Sequence, residues 1–157
     1  MSHFLSEGLK ENVFGLCKSI AGSRQIVAAC FYGSWVCGYA DEKSDVNVLL
    51  VLDGFHPLLN TYSKSIDGVD VLILTVDRRA FEKDVEQGWL GEFVAEKITV
   101  PYEPLINGEY LQHQEVKMKK RIILELLENL VIDLPELYCE IQIRPEYFMY
   151  ETMLIRA

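Results

Sequence analysis

Long apolar runs are missing from this sequence. No segment approaches the ~18–20 consecutive apolar residues that a bilayer-spanning helix needs, so a membrane partner is not expected. The N-terminal stretch MSHFLSEGLKENVF has acidic residues and lacks a basic segment followed by an apolar one. That argues against a secretory signal and leaves the cytoplasm as the expected location. Histidine is scarce, with only His3, His56 and His113 and no H-x-x-x-H spacing. The four cysteines, Cys17, Cys30, Cys37 and Cys139, form no C-x-x-C pair. Zinc sites use closely paired ligands, so a zinc site is not expected. The cysteines read instead as small buried hydrophobes in a reducing compartment. Positive charge is also short: 15 Lys and Arg stand against 24 Asp and Glu, a net charge of −9. The acidic excess runs through both parts of the chain, and the basic stripe expected of a nonspecific nucleic-acid binder is absent.

What remains is ordinary globular material. The 157 residues fall within the size of one domain, and half of them are apolar, enough for a substantial core. Residues 5–21 carry Leu5, Leu9, Val13, Leu16 and Ile20 at spacings of three and four, the period of a helix with one buried stripe. Gly22 ends that helix. Residues 25–32 (QIVAACFY) read as a strand buried on both faces, residues 33–44 as a turn and a short helix, and residues 45–53 (DVNVLLVLD) as a second central strand. Residues 55–65 look like a loop, with Gly54, Pro57 and Asn60 as breakers. Residues 68–76 (GVDVLILTV) form a third strand. Asp77 caps a helix over residues 78–87, and a further short helix is expected over 89–98.

Pro101 and Pro104 mark a linker. Residues 108–133 are helical again, with Ile122, Ile123, Leu126, Leu127, Leu130 and Val131 as its apolar stripe. Lys117, Lys119, Lys120 and Arg121 lie near the opposite side and read as a solvated face. Pro135 stops the helix. Residues 137–144 alternate as a half-buried strand or an extended connector would. Pro145 suits the first turn of a last helix, whose tyrosines, like Tyr138, read as packing residues. That helix has no stop signal before Ala157, as expected of a piece of a longer protein. The expected fold is α+β: a small mixed sheet with flanking helices over residues 1–104, then a helical C-terminal region over 105–157.

Three polar residues stand out because they sit in apolar strands. Asp45 and Asn47 open the second strand and Asp70 opens the third. A buried carboxylate without a partner costs several kcal/mol, so such positions point to a metal or a hydrogen-bond network. Strand alternation sets Asp45 and Asn47 on one face, roughly 6–7 Å apart. If the two strands are neighbours, Asp70 lies beside them, giving oxygen ligands suited to Mg²⁺. Asp53 has the same parity, but eight residues of strand put it roughly 26 Å away, too far to join. Gly33 allows a ligand close to the backbone, a helix start offers N–H groups to an anion, and Ser34 adds a hydroxyl. Together they suit phosphate.

These residues, in this order, carry a resemblance. GSWVCGYADEKSDVNVLLVL resembles the signature of the nucleotidyltransferase domain of the DNA polymerase β superfamily, most nearly its stand-alone prokaryotic and archaeal members. The match runs through Gly33, Ser34, Gly38, Ser44 and Asp45 at the family's spacing, with Asp70 as the third carboxylate. It covers about residues 25–76. The resemblance implies a nucleoside triphosphate held on Gly33 and Ser34 and Mg²⁺ held by Asp45, Asn47 and Asp70. Asp45 and Asp70 would be the catalytic pair, Asp70 also serving as base. The reaction implied is transfer of a nucleotidyl group to a hydroxyl acceptor: a small molecule, a protein side chain or an RNA end. A second copy of the chain is a further candidate partner, through the helical tail. Two departures bear on activity. The family's second carboxylate is Asn47 here, and Cys37 stands where a basic residue often precedes the second glycine. A catalytically degenerate nucleotide-binding or regulatory module of the same fold is therefore the alternative.

Overall fold

The computed structural model describes residues 5–41, 43–136, 139, 140, 142, 144 and 146. The expected last helix apart from Glu146, and half of the segment 137–144 including Tyr138, lie outside the described residues. The architecture is α+β, one mixed sheet with helices on both faces, as the sequence implies. Among the described residues five strands run in the order β3-β4-β2-β1-β5: β1 Ile26–Tyr32, β2 Val46–Leu52, β3 Leu59–Ile66, β4 Val69–Asp77 and β5 Tyr102–Ile106. Only β2 and β4 pair in parallel; β1–β2, β1–β5 and β3–β4 are antiparallel.

The pleat divides the core in two. Phe31, Val46, Val48, Leu50, Val71 and Ile73 face one way, under helix α1 (Glu7–Ala21), which contributes Leu9, Val13, Cys17 and Ala21. Cys30, Leu49, Val51, Leu74 and Val76 face the other way. There they meet helix α3 (Arg78–Gln87), a single 3-10 turn at Ala95–Ile98, and the first half of helix α4 (Gly108–Asp133). Ser6 caps α1 and Gly22 ends it with φ 60. Asp77 caps α3 by accepting from the N–H groups of Arg79 and Ala80.

Several expectations are corrected. Residues 59–66 are a strand, not a loop. β3 forms eight pairs with β4, and its polar side chains are largely exposed because it is an edge. Asp67 and Gly68 have φ 51 and 82, the two positive values of a tight hairpin turn. The segment around Pro101 and Pro104 is also not a linker. β5 tolerates Pro104 because an edge strand can lack an N–H on its outer side. The helix expected over 89–98 is helical only at Ala95–Ile98. In α4 the buried residues are Leu111, Gln114, Met118 and Ile122, whereas Ile123, Leu127 and Val131 of the expected stripe are exposed. Cys17 and Cys30 are buried as expected, but Cys37 and Cys139 are exposed. Among the described residues no helix is long and apolar enough to cross a membrane.

Candidate functional site

β1 ends at Tyr32, and Gly33 turns the chain with φ 84 and ψ −155. That backbone conformation is essentially confined to glycine. A Cβ at this position would also stand 3.3 Å from Nδ2 of Asn47. The turn and Asn47 are therefore built against each other. One helical turn follows, α2 (Ser34–Cys37), ended by Gly38 in the left-handed region. The loop back to β2 is tied down at three points. Trp35 Nε1 donates to the Ser44 carbonyl at 2.9 Å, the Ser44 hydroxyl donates to Asp41 at 2.8 Å, and the Asp41 N–H donates to the Ser44 hydroxyl at 2.9 Å. The Ser44 hydroxyl, with the Lys43 N–H, holds the Asp41 carboxyl below its ordinary value. Ser44 thus fixes the loop that delivers Asp45. Among the described residues the Ser34 hydroxyl makes no hydrogen bond.

The sheet register aligns the polar residues. Tyr102 pairs with Tyr32, Tyr32 with Asn47, and Asn47 with Leu72. These four form one row across four strands on the α3–α4 face. Asp45 directly precedes β2 and Asp70 is the second residue of β4, each one step before the Val46–Val71 pair; that register, continued by one residue, would bring them to one level at strand spacing, about 4.8 Å. By alternation they share the face of Asn47. Asp45 is half-buried and Asp70 exposed. Neither carboxylate makes a hydrogen bond or ion pair among the described residues. Asn47 Nδ2 donates to the Asp45 carbonyl at 3.3 Å. The amide thereby braces the strand start and faces Gly33.

Like charges directly opposite on neighbouring strands repel, so this pair suits a cation. Among the described residues no three His, Cys, Asp or Glu side chains gather as a metal cage. Mg²⁺ is commonly bound through one or two carboxylates plus substrate phosphates rather than by such a cage. Asp45, Asp70 and the Asn47 oxygen fit that donor set.

Asp53 follows β2 at its far end. It lines a separate cavity of about 410 Å³ with His56, Arg79, Lys83 and Trp89. The Lys117–Arg121 cluster is not uniformly solvated. Lys117 pairs with Glu86, and Arg121, largely buried, pairs with Glu92 and Glu125 and donates to the Val85 carbonyl.

Two features escape a sequence reading. Asp84 is fully buried and accepts four backbone N–H bonds, from Leu90 (2.6 Å), Glu92 (3.0 Å), Val94 (3.2 Å) and Ala95 (2.9 Å). It organises the segment between α3 and the 3-10 turn. Its position one turn after Ala80, on the apolar side of α3, was the available signal. Lys97 extends from that turn over the row described above. Its Nζ lies 5.8 Å from the Tyr32 ring centroid and 4.7 Å from that of Phe93, and it pairs with Glu96. Burial first, then Cys30 and Glu96, pushes the Tyr32 phenol up to about 12.

No family model matches the chain, and no curated protein matches it in sequence. The geometry defines an α+β protein with an unpaired aspartate pair beside a glycine turn.

Proposed function

We propose that the protein is a nucleotidyltransferase-like enzyme that binds a nucleoside triphosphate with Mg²⁺ and transfers the nucleotidyl group to a hydroxyl acceptor. The observation that supports this reading is the register of β2 on β4, which, continued by one residue from the Val46–Val71 pair, would bring Asp45 beside Asp70, near Asn47 and the Gly33 turn against which Asn47 packs. The order of these residues along the chain supports the same reading through its resemblance to the polymerase β superfamily. Gly33 and Ser34 would hold the phosphates by backbone approach and a free hydroxyl. The metal would be held by Asp45 and Asp70, with the Asn47 oxygen as a neutral donor, and would supply charge neutralisation on the phosphates. The acceptor oxygen would bond to the α-phosphorus while the bond to pyrophosphate breaks, and the acceptor proton would pass to the Asp70 carboxylate. The acceptor is a small molecule, a protein side chain or an RNA end. A cytoplasmic location accords with the free cysteines among the described residues.

Asn47 favours a second reading, a module that binds nucleotide without turning it over. Its amide is engaged with the Asp45 carbonyl and faces Gly33, where a carboxylate would add a metal ligand. Calorimetry with nucleoside triphosphates, with and without Mg²⁺, tests both readings. The enzyme reading expects Mg²⁺-dependent binding and pyrophosphate release, both lost in Asp45→Ala. Binding without release, with release gained in Asn47→Asp, would favour the module. No triphosphate binding under any condition would overturn both.

A further inference from the structure

Resting on that reading, we infer that Lys97 is the phosphate-binding cation of this site, taking the charge that the segment from Gly33 to Gly38 does not supply. The need for a cation is electrostatic. A Mg²⁺–triphosphate complex carries net negative charge, and Asp45 and Asp70 add more. Residues 33–38, GSWVCG, contain no Lys or Arg, and the position before Gly38 is Cys37.

Lys97 is brought to the neighbourhood of the site by the fold, through Tyr32. Its ammonium lies over Tyr32, the residue directly before Gly33 and the cross-strand partner of Asn47. The Tyr32 and Phe93 rings flank the ammonium while its side chain keeps 19% exposure. The charge is therefore held in a partly desolvated setting, where it acts more strongly than in water. It is also preorganised. Ala95 and Ile98, on either side of Lys97, are fully buried, and the Asp84 carboxylate fixes the preceding backbone through its four N–H bonds. A charge on so rigid a support loses little freedom when an anion arrives. Glu96 pairs with Lys97 in the ligand-free protein, so a phosphate would take the place of that carboxylate.

The experiment uses the full chain with Mg²⁺. Each of the four common ribonucleoside triphosphates is titrated by calorimetry, and the tightest binder is compared with its own di- and monophosphate. Lys97→Met keeps the apolar stem on the two rings, and Lys97→Arg keeps the charge. A charge-assisted contact predicts that Lys97→Met weakens the triphosphate by about tenfold to a hundredfold. The loss should shrink for the diphosphate and nearly vanish for the monophosphate, and Lys97→Arg should recover most of it. If Lys97→Met binds the triphosphate like the parent, or weakens all three ligands equally, Lys97 does not bind phosphate. That failure is separate from failure of the underlying reading, in which the parent itself binds no triphosphate. Circular dichroism and urea midpoints for both variants tell lost folding from lost charge.

Discussion

At position 33 an added side chain would be strained twice. The backbone has φ 84 and ψ −155, and the new Cβ would press on Asn47 Nδ2 at 3.3 Å. Gly33→Ala is expected to cost about 1–3 kcal/mol of stability, read as a lower urea midpoint at unchanged slope. The same substitution pushes on the amide that braces Asp45, so under the proposed function triphosphate affinity should fall with it. A variant as stable as the parent would mean that the turn carries no strain. Gly33 is legible in the sequence because a glycine between a strand and a short helix has few other reasons to be there. Its partner is not legible, because the contact with Asn47 exists only once β2 lies antiparallel to β1.

The segment between α3 and β5 is an element without regular structure, held by one carboxylate. Asp84 satisfies four N–H groups there, those of Val94 and Ala95 buried with it. Removing the acceptor leaves those donors without a partner, at about 1–3 kcal/mol for each one that stays buried. Asp84→Ala is therefore expected to lose at least about 3 kcal/mol in urea unfolding and to expose the segment to proteolysis around residues 89–95. A loss below about 1 kcal/mol would mean that water replaces the carboxylate. Edge strands are the other elements that resist reading. β3 has the polarity of a loop because its outer side meets solvent, and β5 carries Pro104 because its outer edge needs no partner. The Asp67-Gly68 turn was the local signal for β3, since that dipeptide favours the backbone twist of a tight hairpin.

For the molecule as a whole, the thiols report packing and set an alkaline limit. Cys17 and Cys30 are fully buried, and burial pushes both thiols up from 9.0 to about 12. Between those values the unfolded chain has released protons that the folded chain keeps, so stability falls as pH rises. Below about pH 9 this contribution is complete. By pH 10.5 the expected loss is about 2 kcal/mol per buried thiol, with Tyr32, raised to about 12, adding to it. Urea midpoints should be flat from pH 7 to 8.5 and then decline, with a shallower decline in Cys30→Ala. An unchanged midpoint at pH 10.5 would contradict the burial of these groups. In native buffer an aromatic disulfide reagent should modify Cys37 and Cys139 quickly, and Cys17 and Cys30 only on unfolding. Fast reaction of all four would mean that the core opens readily.

The sequence by itself determined the central strands, the capped helices and the candidate residues Gly33, Ser34, Asp45, Asn47 and Asp70. All of these rest on local rules: apolar period, capping chemistry, and the cost of polar groups in apolar strands. Only the tertiary structure decided that the strands following Asp45 and containing Asp70 are parallel neighbours with Val46 opposite Val71, because the register of a parallel pair is set by the packing of whole strands. It alone brought Lys97 over Tyr32 and buried Asp84 under four N–H groups, because those contacts join residues whose separation along the chain carries no period. It also left Ile123, Leu127 and Val131 of α4 exposed, since an apolar stripe records what a helix can bury and the neighbouring elements fix how much it does.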